Sequence, residues 1–278
     1  MSIIKLLDEF TSEKLVTKST SRREMFGTLG SFGKKAALAA IPFGMAAGSK
    51  ANAAAMFQDN GGPISSLNLA LTLEYLEAAF YRRALDSGVL EGGSREETVF
   101  MQLFKHEDQH VNFLVENLGD DAVESPEFDF TAGGAFDPFN ENGIGQMDAM
   151  AQMLALAQAF EDTGVRAYKG QAANLMGTPF LEPALRIHSV EARHASEIRR
   201  IRGLKGWIVR DQRGEGMPEA TQPVYNGEEN VIQGGVDVSS ISSGLVGNAT
   251  DAATEAFDEI LTGDEAVAIA SLFIVSND

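Results

Sequence analysis

Apolar residues recur at three- and four-residue intervals in four stretches of the chain, and each stretch carries charged residues inside its apolar stripe. In the first, about Ser65 to Ser87, the stripe is Leu67, Ala70, Leu71, Ala78, Tyr81 and Leu85, with Glu74 and Glu77 falling within it. In the second, Phe100, Leu103, Val111 and Leu114 flank Glu107 and His110. In the third, Met150, Met153, Ala157, Val165 and Tyr168 surround Glu161, and in the fourth Ala184, Ile187, Ile198 and Ile201 surround Glu191 and His194. The pattern predicts four amphipathic helices and an all-α fold.

Punctuation residues set the boundaries. Gly61-Gly62-Pro63 breaks the chain before the first helix, and Gly88 and Gly92-Gly93 close the turn after it. Ser94-Arg-Glu-Glu97 reads as a capping box opening a second helix that runs to Leu118, before Gly119. Residues 120–145 show no helical period and contain Ser125-Pro126, Gly133-Gly134 and Asp137-Pro138. That is longer than an ordinary bundle turn and suits a crossover that lets the second and third helices run parallel. The third helix is expected from about Gly145 to Met176, with Gly164 and Gly170 as weak points. Thr178-Pro179 starts the fourth, which ends near Arg202 before Gly203. From Lys205 to about Asn248 the chain is Gly-rich, acidic and irregular, and then Asp251–Leu261 and Asp264–Ile274 read as two short helices. Their Phe257, Ile260, Leu261, Val267, Ile269 and Phe273 require burial, against the bundle or a second subunit. Residues 54–203 are thus read as a four-helix bundle and 204–278 as a C-terminal extension of the same domain.

The charged residues on the stripes repeat. Glu107-Asp-Gln-His110 and Glu191-Ala-Arg-His194 are two Glu-x-x-His motifs, and each follows a lone Glu on the preceding helix: Glu74 lies 33 residues before Glu107, Glu161 30 before Glu191. Both lone carboxylates are followed seven residues later by a tyrosine, Tyr81 and Tyr168. Residues three apart on a helix differ by about 60° around the axis and about 4.5 Å along it, so Glu and His at i and i+3 chelate from one face. Four carboxylates and two imidazoles from four helices form the ligand set of a di-iron or di-manganese centre. Left unpaired on core-facing stripes, ionised carboxylates would each cost several kcal/mol, which bound dications would remove. The competing explanation is a buried salt-bridge network with Arg82, Arg166 or Arg193 as the cations. Glu77 reads as a ligand, a residue on the path of ion access, or a salt-bridge partner. Tyr81 and Tyr168 read either as hydrogen-bond donors to the opposite Glu ligands or as core packing. His188, one turn before Glu191, is a candidate neighbour of the ligands, whereas His106 belongs on the flank.

The stretch Leu67-Asn-Leu-Ala-Leu-Thr-Leu-Glu74-Tyr-Leu-Glu-Ala-Ala-Phe-Tyr81, together with both Glu-x-x-His motifs, resembles the ferritin-like superfamily. It is most similar to the exported ferritin-like domain proteins grouped with plant desiccation-related proteins. The similarity covers roughly Ser65 to Gly203, and the segments 222–236 and 255–262 resemble that group too. The resemblance implies a four-helix bundle with a long crossover between the second and third helices. By position it puts Glu74, Glu107 and His110 on one metal side and Glu161, Glu191 and His194 on the other. It implies iron oxidation, iron storage or manganese catalase chemistry. The leading expectation is two Fe ions and oxidation of Fe(II) by O2 or peroxide. A manganese catalase-like site with two Mn ions, and a stress-protective structural protein with a stabilising metal, are the alternatives.

Ser21-Arg22-Arg23-Glu24-Met25-Phe26, the weakly apolar stretch Ala36 to Gly48 and the small-residue site Ala51-Asn52-Ala53 read as a twin-arginine export signal over residues 1–53. The apolar part is too short and too rich in Gly and Ala to span a membrane. The expected location is therefore periplasmic or otherwise extracytoplasmic, reached through the twin-arginine machinery, with no stable membrane span after processing. The chain contains no cysteine, which removes zinc-finger and iron–sulfur chemistry and leaves Fe, Mn or Zn, with the harder first two favoured by four Glu to two His. Beyond residue 53 it carries 14 basic and 36 acidic residues, a net of −22. Such a field repels nucleic acid and attracts cations. A homo-oligomer assembled through the C-terminal extension is a further expectation.

Overall fold

A computed structural model describes residues 62–241 and 247–275. The export signal expected over residues 1–53 lies outside them. Four long helices form the frame: α1 (Pro63–Asp86), α2 (Arg95–Leu118), α3 (Gln146–Gln171) and α4 (Leu181–Ile201). α1 packs on α2 and α3 on α4 as two hairpins, and the hairpins join mainly through α1 and α3.

Local chemistry explains where these helices start and stop. Pro63 at the start of α1 has the fixed φ that a first helical residue needs. Ser94 Oγ accepts from Glu97 N (3.0 Å), and Glu97 Oε2 reaches back to Gly93 N (2.5 Å), one residue before the N-cap. Gly119, at φ 56°, ends α2 in a conformation that costs a side chain strain. α3 is shorter than its apolar pattern suggested: the α-helix ends at Gln171, and Ala172–Leu175 continues as a 3-10 turn. α4 begins at Leu181 rather than at Thr178-Pro179, because Thr178 is used in the turn, its Oγ1 donating to Leu175 O and accepting from Phe180 N.

The crossover of residues 122–145 closes one end of the bundle. Phe130, Phe136 and Phe139 are buried there, and Phe130 meets Phe80 edge to face while Phe139 meets it at a tilt, with ring centroids 5.4 and 5.7 Å apart. Phe160 and Phe273 complete the cluster at 4.9 Å. Residues 273–275 are tied to the crossover by a bridge, with Asp129 N donating to Phe273 O (2.8 Å) and Val275 N to Glu127 O (2.9 Å).

The described parts of the extension, residues 204–241 and 247–275, cover α3, and this changes the burial pattern. The extension contains a 3-10 turn (Glu219–Val224), a two-residue hairpin, β1 (Ile232–Gln233) with β2 (Val236–Asp237), and short helices α5 (Ala249–Glu255) and α6 (Gly263–Ala270). α6 buries Ala266, Val267 and Ala270 against Leu69 and Leu73 of α1 and Ala167 of α3. A single apolar stripe was expected on α1, but the second face is also covered. Both extension helices are shorter than their apolar patterns indicated. Residues 256–262 leave the helix and spend their carbonyls on two cations of α3: Lys169 takes Asp258 O, and Arg166 takes Glu259 O and Ile260 O. Leu261 is buried beneath that strap, but Phe257 (41% exposed) and Ile260 (50%) are not buried against the bundle, the first of the two placements expected of them. No described helix is long and apolar enough to cross a membrane.

Candidate metal centre

The middle turns of the four helices converge. α1 supplies Glu74 and Glu77, α2 Glu107 and His110, α3 Glu161, and α4 Glu191 and His194. Glu74, Glu107, Glu161 and Glu191 are 0% exposed, Glu77 2% and His194 4%. Two sets of donor atoms lie within 4.8 Å of one another: Glu74, Glu107, His110 and Glu191 in one, Glu107, Glu161, Glu191 and His194 in the other. Glu107 and Glu191 belong to both. Position alone put Glu107 on one side and Glu191 on the other; in the fold both stand within reach of both groups, and each group has its own Glu and His.

Both imidazoles turn Nδ1 inward. His110 Nδ1 is 2.8 Å from Glu107 Oε2, 3.1 Å from Glu74 Oε2 and 3.3 Å from Glu191 Oε1. His194 Nδ1 is 2.8 Å from Glu107 Oε1 and 3.3 Å from Glu161 Oε2. These last contacts are close but poorly aligned. Glu107 Oε1, Glu161 Oε2, both oxygens of Glu191 and His194 Nδ1 are buried without a hydrogen-bond partner. Lone pairs aimed at a shared space rather than at one another are what a cation between them would satisfy.

The tyrosines cross between the halves of the bundle. Tyr168 Oη donates to Glu74 Oε1 and Tyr81 Oη to Glu161 Oε1, each at 2.5 Å, so both sequence-singled tyrosines touch the opposite lone Glu. Each bond holds one carboxylate oxygen and leaves the other facing the centre. His106, expected on the flank, sits beside His194 instead: His106 Nδ1 is 2.8 Å from His194 Nε2, and the rings stack with centroids 5.1 Å apart. Its other nitrogen contacts Gln102 Nε2 at 2.5 Å. The signal for it was its place one turn before His110 on the same helix face. His188 does not join the cluster; its Nδ1 is buried without a partner.

No arginine or lysine pairs with the cluster among the described residues. Arg166 pairs with Glu228 (2.7 Å), Arg82 lies over the Phe104 ring, and Arg193 is exposed, so the salt-bridge explanation loses its cations. A groove of about 500 Å³ between α1, α2 and the crossover, lined by Ala78, Arg82, Asp86, Asp108 and Phe128, contains none of the cluster residues.

Crowded buried acids resist ionisation. Burial pushes Glu74 up to about 7, partly offset by His110. Burial, then Glu191 and Glu161, pushes Glu77 well above the usual carboxylate range, and burial with Glu107 and Glu74 does the same to Glu191. Glu107 alone goes down, to about 2: burial opposes its charge, but His110 and His194 together overcome it. For His194, burial opposes protonation, but Glu161 and Glu107 push it up to about 11.

A bundle of four helices whose core carries carboxylates and two inward-facing imidazoles defines a protein able to hold metal ions. The family profile of the ferritin-like domain matches residues 62–204, just over half of the chain, and the chain belongs to that family. No curated protein matches it significantly.

Proposed function

We propose that the protein is a two-metal oxidoreductase in which Glu74, Glu107, His110, Glu161, Glu191 and His194 hold two iron ions, and that Fe(II) is its substrate, oxidised by O2 or peroxide. The observation that carries this reading is the set of buried, unpartnered oxygens and the His194 Nδ1, all directed at one space among the four helices. Bound iron supplies the one-electron couple, and an all-carboxylate and imidazole donor set favours the harder Fe(III).

The chain's own residues do the rest. Glu107 and Glu191 stand where each can serve both sides, and Glu74 with His110 and Glu161 with His194 complete the two ends. Tyr168 and Tyr81 fix the terminal carboxylates through one oxygen each. His106 accepts at Nδ1 from His194 Nε2 once His194 Nδ1 is committed to a metal, which fixes that ring's orientation. The acidic surface of the chain, with a formal net charge of −18, draws cations toward it.

The test is Fe(II) oxidation by the full chain in air, followed by absorbance, beside Glu107→Gln with Glu191→Gln. The double variant is expected to lose more than about 100-fold in rate, since two shared ligands are gone. Equal rates in variant and parent would overturn the proposal. Peroxide dismutation by the manganese-loaded chain without Fe(II) oxidation would replace iron with manganese and oxidase with catalase.

A further inference from the structure

Glu77 breaks the internal repeat. The offset that carries Glu74 onto Glu161 and Tyr81 onto Tyr168 carries Glu77 onto Gly164, so a carboxylate on α1 answers to a bare hydrogen on α3. The two positions face each other. A Cβ on Gly164 would lie 3.2 Å from Glu77 Oε1 and 3.2 Å from Glu191 Oε2, closer than ordinary packing allows. The glycine therefore leaves the space in which these two carboxylates lie. Gly164 was read from the sequence as a weak point in α3, yet the helix passes through it unbroken.

Glu77 is also an unexplained buried acid. It is 2% exposed, no basic side chain pairs with it, and no hydrogen bond reaches its carboxyl among the described residues. A carboxyl group taken out of water with nothing to receive it is costly, and natural cores retain one where it has a use. Its Oε1 and Glu191 Oε2 border the same space at Gly164, so Glu77 lies beside one of the two shared carboxylates.

We propose that Glu77 is a fifth carboxylate ligand of the metal centre, entering it beside Glu191, and that Gly164 exists to give it room. The inference rests on the metal reading of the site given above. It makes the two ions unequal, with four donor residues around each and a fifth available to only one of them. It also takes the carboxylate charge past what two divalent ions neutralise, which favours a trivalent ion where Glu77 binds.

Titration of the full chain, stripped of metal, with Co(II) tests it by equilibrium affinity and by visible absorption, which weakens as cobalt gains ligands. The parent is expected to bind two ions unequally. Glu77→Gln removes the charge at nearly constant shape, and Gly164→Ala keeps Glu77 but fills its space while favouring the helix. Each should weaken the tighter ion by about tenfold or more and raise its absorption, leaving the other ion unchanged. Parent affinities and spectrum in Glu77→Gln would overturn the proposal, whatever Gly164→Ala does. A parent chain that binds no Co(II) would overturn the metal reading itself, and this inference with it.

Discussion

At the scale of single residues, the centre is an assembly of acids that share too few protons. Glu74, Glu77, Glu107, Glu161 and Glu191 lie buried together, and His110 and His194 are the bases among them. Without metal, a group whose folded-state pKa is raised makes the native chain hold more protons than the unfolded one. Its contribution is complete below the unfolded value and is lost as pH rises through the folded value. For Glu74 that window runs from 4.5 to about 7, and for His194 from 6.5 to about 11. Glu107 runs the other way, its contribution being lost only as pH falls from 4.5 toward about 2. The metal-free protein is therefore expected to be most stable in mild acid and to lose stability from about pH 5 to about pH 8. Denaturation midpoints of chelator-treated protein across that range check this. A midpoint that rises with pH would contradict the charge assignments. Metal binding must expel the same protons, so the loaded protein should show the opposite trend. That the six candidate ligands meet at one place could be read from spacing, because a helix turns regular spacing into a shared face. The choice between donor and packing for Tyr81 and Tyr168 needed the fold. His106 and the Glu77–Gly164 pairing needed it too, because each depends on which side chain of a neighbouring helix lies opposite.

At the scale of elements, the four bundle helices were legible because each carried its own apolar period and its own stop signals. The extension was not, because its structure is set by partners on α3. Arg166 is 1% exposed and binds Glu228 at 2.7 Å, Asn226 O at 2.8 Å, Glu259 O at 3.0 Å and Ile260 O at 3.2 Å, as well as Val224 O. Nearby, Tyr225 Oη donates to Asp162 Oδ2 (2.8 Å), and Arg199 pairs with the same carboxylate. A guanidinium that replaces helical hydrogen bonds for the strap at 256–262 leaves no mark in the strap's own sequence, so two longer helices were expected there. Arg166→Met should cost about 3–5 kcal/mol by leaving Glu228 buried without its cation. Limited proteolysis should then cut within residues 205–275 well before the bundle. Unchanged resistance to protease would show that the apolar contacts of α6, not Arg166, hold the extension.

At the scale of the whole molecule, fold and site are one argument. Two hairpins, each bringing a lone Glu, a Tyr and a Glu-x-x-His, meet so that each tyrosine serves the other hairpin's carboxylate. The extension covers α3 and the second face of α1, and so keeps water from the helices that carry Glu74 and Glu161. The all-α architecture and the domain family follow from features present in the sequence; the covering of α3 emerges only once the chain is folded. The central claim is that the buried acids are there for metal. Anaerobic titration of the metal-free full chain with Fe(II), with bound metal counted by mass spectrometry, tests it most directly. The account predicts about two ions per chain, as the ligand set of such bundles holds. A folded, fully helical protein that retains no metal would contradict it.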